Sequence, residues 1–205
     1  MRSGDEVRPR TFTEEARRAQ IVACTIDTLA ELGYADTSFA RVAERAGISK
    51  SVISYYFAGK EELLRRVVEQ VLAEAAAYMM PRIEAAGESA RATLAVYLRS
   101  NLEFIRDHGD GITAVTEIVL GARAARRAPG VAGGLDRALK PLQDILSRGQ
   151  ERGEFTAFDT RTMAWSIRGL IDGVHRRRIA DPEFDFDRGI DELAALVDRA
   201  TRRLP

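Results

Sequence analysis

The chain has 205 residues, 45% of them hydrophobic and 30% charged, with 31 basic residues balancing 31 acidic ones. That length is enough to bury a proper core, and the composition is ordinary for a soluble globular protein. No run approaches the roughly 18 apolar residues of a membrane span, a lone Cys24 excludes a disulfide framework or a cysteine-rich zinc site, and Asp5, Glu6, Glu14 and Glu15 occupy the start of the chain where an export segment would be apolar.

Helical periodicity recurs along the chain without convincing strand alternation, which predicts an all-α fold of about nine helices. The first runs from Thr13 to Leu32, with Ile21, Val22, Thr25, Leu29 and Leu32 on one face and Gly33 as its stop. A short second helix places Phe39, Val42, Ala43 and Ala46 on one side and ends at Gly47. Ser49 is positioned to cap a third helix, and Ile48 and Ile53 fit a hydrophobic staple that fixes its entry angle. Gly59 interrupts the pattern. A fourth helix follows, with Glu61 and Glu62 suiting its dipole and an apolar run from Leu63 to Leu72, and it should last until Pro81. Five further helices are predicted over about 88–107, 110–127, 132–152, 159–180 and 187–203. Pro141 should kink the seventh helix or mark a later start.

Two short helices joined by a Gly-containing turn form a helix-turn-helix, whose second helix can enter a major groove. Residues 37–57, TSFARVAERAGISKSVISYYF, fit that description. Phe39, Val42, Ala43, Ala46, Ile48, Ile53 and Phe57 can be buried together, leaving Lys50, Ser51, Val52, Ser54 and Tyr55 outside. Lys50 can meet a phosphate or a guanine edge, serines such as Ser49, Ser51 and Ser54 can donate to phosphates, Val52 can touch a thymine methyl, and Tyr55 can reach backbone. Global charge adds little to this reading: residues 1–60 hold nine Lys/Arg against eight Asp/Glu, a difference of +1. The motif must carry the case.

From Arg18 to Leu64 the chain resembles the N-terminal domain of the TetR (tetracycline-repressor-like) family. The resemblance lies in ELGYADTSFARVAERAGISKSVISYYFAGKEELL: a first helix ending in Gly, a Ser/Thr-capped helix with Ala-Gly, a short recognition helix ending in aromatics, then Lys-Glu-x-Leu. It implies that Lys50, Ser51 and Val52 face bases or phosphates, that Tyr55, Tyr56 and Lys60 hold the DNA backbone, and that Ser38 and Arg41 touch it from the second helix. Two positions depart from the family pattern. Ser54 stands where an aromatic is frequent, and Val52 where a small polar residue is.

The resemblance further implies a DNA-binding domain over residues 12–60 and an effector-binding and dimerisation domain over 61–205. RGQERGEF (148–155) followed by GLIDGV (169–174) is similar to the family's boundary before its last two helices. Met163, Ile167, Leu170, Ile171 and Val174 form one apolar stripe there; Ile190, Leu193, Ala194, Val197 and Ala200 form another. Such stripes can seal a domain core or a dimer, and the resemblance favours a homodimer. The middle helices would then enclose a small, partly hydrophobic effector, with Tyr97, Phe104, Thr116, Glu117, Trp165, Arg168 and Asp172 as candidate lining groups.

The expected partners are a palindromic double-stranded operator, a small-molecule effector and a second copy of the chain, with repression as the family's more frequent mode. Two other classes compete with this reading. An enzyme would need chemistry that two histidines, His108 and His175, and one cysteine do not offer at any recognisable spacing. A purely structural helical adaptor leaves the DNA-compatible face of the third helix unexplained. No cofactor or metal is expected, and the protein is expected in the cytoplasm. Arg126-Arg127, Arg176-Arg177-Arg178 and Arg202-Arg203 lie near predicted helix C-termini, where the dipole accounts for them. Arg2, Arg8 and Arg10 belong to an N-terminal arm that is expected to fray.

Overall fold

A computed structural model describes residues 12–124 and 137–203. Arg2, Arg8, Arg10 and Arg126-Arg127 lie outside these residues. Among the described residues there are nine helices and no strand: α1 (Phe12–Asp36), α2 (Phe39–Ala46), α3 (Lys50–Tyr56), α4 (Lys60–Ala85), α5 (Ala90–Asp107), α6 (Gly109–Ala124), α7 (Lys140–Glu151), α8 (Thr160–Ala180) and α9 (Phe186–Thr201). The fold is all-α, with a helix-turn-helix in its N-terminal part and a larger helical array behind it.

Local chemistry accounts for most boundaries. Ser38, Ser89, Asp159 and Asp185 each accept a backbone N–H at the start of α2, α5, α8 and α9, a cap worth about 1 kcal/mol. At α1 the expected stop and the structure differ in part. Gly33 leaves helical geometry at φ 76, as a stop should, but the helix resumes to Asp36. The Thr37 hydroxyl donates to the Gly33 carbonyl at 2.7 Å and ties this short extension down.

Helix α4 does not stop at Pro81 but continues to Ala85. Proline removes one N–H and strands the carbonyl four residues back. Here Ala77 and Pro81 are both exposed, so water can serve that carbonyl. Pro141 falls in the first turn of α7, where its missing N–H costs nothing. Of the stretch predicted over 132–152, residues 132–136 lie outside the described residues.

Helix α5 is central, packing against α4, α7, α8 and α9. Leu94, Leu98, Leu102 and Ile105 are buried on it, each contributing about 1.5–3 kcal/mol of transfer free energy. The final two helices complete this core. Ile167 and Ile171 of α8, with Ile190, Leu193 and Val197 of α9, are all buried within the single chain. Met163 and Val174 are half-buried against the same core. The expectation that this stripe faces a second subunit is therefore corrected, because α9 and α5 already cover it. Leu170, at 39% exposure, and Ala200 stand out from the two stripes.

Candidate nucleic-acid interface and interior cavity

The turn between α2 and α3 depends on Gly47. Its left-handed backbone (φ 65) lets its N–H reach the Glu44 carbonyl at 3.2 Å, and the Ile48 N–H then bonds to Ala43 at 3.0 Å. A side chain would be strained at that angle. Val42, Ala43, Ile53 and Phe57 are buried beneath the turn, with Phe39, Ile48 and Tyr56 packed beside them. Arg18 of α1 lies 4.9 Å from the Phe57 ring centre and covers the end of α3. The Glu62 carboxylate accepts the Ala58 N–H at 2.7 Å and fixes the entry to α4.

This packing orients α3. Lys50, Ser51, Ser54 and Tyr55 are exposed, and Tyr55 is 75% accessible despite its ring. Ser38 and Arg41 are also exposed on α2, and Arg41 is paired with Glu44 at 3.5 Å. Other positions are more constrained. Val52 is half-buried, and Tyr56 packs on the core with its ring edge-on to Tyr55 at 5.1 Å.

Ser49 holds the N-cap backbone position of α3 but makes no side-chain cap. Its hydroxyl instead lies 2.7 Å from that of Ser51, and two hydroxyls paired in this way form one polar spot at the helix start. Lys60 donates to the Tyr34 carbonyl at 2.8 Å and its ammonium lies 4.5 Å from the Tyr34 ring centre. It is thus a joint between α4 and the end of α1.

Behind this unit, α4, α5, α6 and α8 surround a cavity of about 900 Å³. Its wall is mostly apolar, including Val68, Val71, Met79, Ile112, Val115 and Ile118. Four of the sequence candidates line it: Tyr97, Phe104, Trp165 and Arg168. Three do not. Thr116 donates to the Ile112 carbonyl of its own helix at 2.9 Å. Asp172 pairs with Arg168 at 2.6 Å. Glu117 accepts the Tyr34 N–H at 3.0 Å, tying α6 to α1.

Sequence reasoning missed the α4 wall and Asn101. The apolar run of α4 from Leu63 to Leu72 does not reveal that Leu64, Val68, Leu72, Ala75 and Met79, on one helix face, line a cavity. Asn101, only 8% exposed in an apolar helix face, was the available signal for a polar group facing inward.

The structure thus defines a helix-turn-helix protein with a hollow helical domain. Residues 21–67 match the profile described as bacterial regulatory proteins, tetR family. The HTH-type transcriptional regulator BetI 1 of Chromohalobacter salexigens is 41% identical over 64 residues, covering 31% of this chain and 32% of that protein. BetI 2 of the same organism is 27% identical over 183 residues, covering 85% and 83%. A TetR family transcription regulator from Marinobacter aquaeolei has the same fold, with a TM-score of 0.79 at 16% identity over 94% of this chain and 98% of that one. Over residues 21–67 the chain thus matches the tetR family of bacterial regulatory proteins, and its fold is that of a TetR family transcription regulator.

Proposed function

We propose that the protein is a ligand-responsive transcriptional repressor of the cytoplasm that binds a palindromic operator as a homodimer. Residues 12–60 would form the DNA-binding unit and residues 61–205 the effector-binding and dimerisation unit. The observation that carries this reading is the outer face of α3. Lys50, Ser51, Ser54 and Tyr55 project from a helix whose Ile53 is fully buried, which suits insertion into a major groove. Ser38, Arg41, Ser49 and Val52 would flank that contact. Tyr56 and Lys60 would support it while also holding the domain together.

One helix of two turns reads too few base pairs for useful specificity in a genome, so a second copy is required. The face of α8 available for it carries the exposed Thr162, Ser166, Gly169 and Leu170, beside the exposed Leu196 of α9. Half-sites should then lie about 34–36 Å apart along one DNA face. A small molecule in the cavity would release DNA by favouring a different spacing of the two recognition helices. Gel shift with DNA from upstream of the protein's own gene, at stated salt, tests the reading. Specific binding at nanomolar protein is expected, and its absence there and on randomised DNA would overturn it.

A further inference from the structure

The cavity is chemically lopsided. Its α4 and α6 walls supply Val68, Val71, Met79, Ile112, Val115 and Ile118, which offer a ligand only apolar contact. Polar groups reach it from α5 and α8, and the exposed Glu61, Arg65 and Glu69 of α4 border it. Tyr97 and Asn101 stand one helical turn apart on α5 and are 4% and 8% exposed, and Arg168 joins them from α8. Burial pushes the Tyr97 phenol up, an effect that the Arg168 guanidinium and the Asn101 amide partly offset. The phenol is therefore a neutral hydroxyl that can donate.

Arg168 is bonded to Asp172 through one terminal nitrogen at 2.6 Å, with its side chain 26% exposed. A guanidinium has five N–H donors, so one carboxylate oxygen leaves most of the fork unspent. The acidic groups bordering the cavity, Glu61 and Glu69, are exposed, and Glu69 already faces Arg65 and Arg66.

We propose that the cavity binds an anionic amphiphile: a carboxylate carried on a long apolar chain. Its head accepts from Arg168, Tyr97 and Asn101, and its tail lies along α4 and α6. The aromatic rings of Tyr97, Phe104 and Trp165 could otherwise attract a ligand cation, but the guanidinium beside them opposes it. A volume of about 900 Å³ accepts a drug-sized molecule, and a short acid would leave most of the apolar wall untouched. This inference rests on reading the cavity as the effector site.

Trp165 is the sole tryptophan of the chain and lines the cavity, so its emission reports occupancy. Straight-chain carboxylates of increasing length, the matching alcohols and the matching alkyl trimethylammonium ions should be titrated into the full chain below their micelle concentrations. Carboxylate affinity should rise by up to about fourfold per methylene. The carboxylate should bind about ten- to a hundredfold more tightly than its alcohol. Arg168→Gln should abolish that preference, while Asp172→Asn, which removes only the competing carboxylate, should keep it. If the Gln variant does not fold, Arg168→Lys should retain the preference at reduced size. Alcohol or ammonium binding as tight as carboxylate overturns the proposal and leaves the cavity a ligand site. No binding of any probe, by emission and by calorimetry, overturns the proposal and the effector reading together.

Discussion

The carboxylate of Glu117, midway along α6, accepts the backbone N–H of Tyr34 at the end of α1, 83 residues away in sequence, at 3.0 Å. The Tyr34 ring packs over Gly121, one turn further along α6, where any Cβ would overlap it. Lys60 takes the Tyr34 carbonyl from the other side. Tyr34 of α1 is thus held by α6 and α4 at once, and α6 also supplies Ile112, Val115 and Ile118 to the cavity wall. Helix α1, against which α2 packs, is thereby tied to a helix of the cavity wall.

Replacing Glu117 should uncouple the two regions without emptying the cavity. Glu117→Ala leaves the Tyr34 N–H unpaired and should cost about 1 kcal/mol of stability. Ligand affinity, followed by Trp165 emission, should stay near wild type, while the effect of ligand on operator binding should shrink. A variant that loses ligand binding as well would place Glu117 in the site.

Gly121→Ala should destabilise the protein by about 1–3 kcal/mol, because its new methyl meets the Tyr34 ring. In a Tyr34→Ala background the same change should be almost harmless. The coupling can be read from denaturant melts of the four proteins, and additive effects would show that the two residues do not share the contact.

On α3, Lys50→Ala and Tyr55→Ala should weaken operator binding with unchanged melting temperature, since both side chains are exposed. Ile53→Ala, at a fully buried position, should instead cost about 2–5 kcal/mol. Lys60→Ala should show both effects, a lower salt slope on DNA and a lower melting temperature, because the Tyr34 joint is lost. Full operator affinity of Lys50→Ala across salt concentrations would mean that α3 is wrongly oriented on DNA.

Dimerisation should respond to Leu170→Arg and Leu196→Arg, at exposures of 39% and 46% on α8 and α9. Light scattering should show monomers with a normal helical melt, and specific DNA binding should fall with dissociation. Ile171→Asp and Leu193→Arg should unfold the C-terminal helices instead, since a charge there enters the chain's own core. A dimer that persists in both exposed-face variants would locate the seam elsewhere.

His175 gives stability a pH dependence. It is 6% exposed, its buried Nδ1 has no hydrogen-bond partner among the described residues, and burial holds its protonation below the usual histidine value. Asp172 opposes that shift and Arg178, Arg168 and Arg176 reinforce it. Between the folded and unfolded values the unfolded chain binds the extra proton, so stability rises with pH in that window. The melting temperature should be level above about pH 6.5 and fall as pH drops below it. His175→Gln should flatten this step in a pH series, and an unchanged step would assign it to other groups.

The helix-turn-helix was legible in the residues because everything it needs is local: Gly47 for a left-handed turn, Ser38 for a cap, and apolar side chains at helical spacing across 39–57. The candidates on α3 followed from the same periodicity, since one buried face leaves the other outside. Periodicity also marked the stripes of α8 and α9, but it reports only that a face is covered. Whether α5 or a second chain covers Ile171 and Leu193 depended on how α9 lies in three dimensions. The cavity was decided the same way, because an apolar wall facing empty space and one facing a neighbour have identical patterns. Glu117 was singled out as a lining group, and only the close approach of α1 and α6 made it a partner of Tyr34. Contacts between residues far apart in sequence are set by helix packing, which no local spacing encodes.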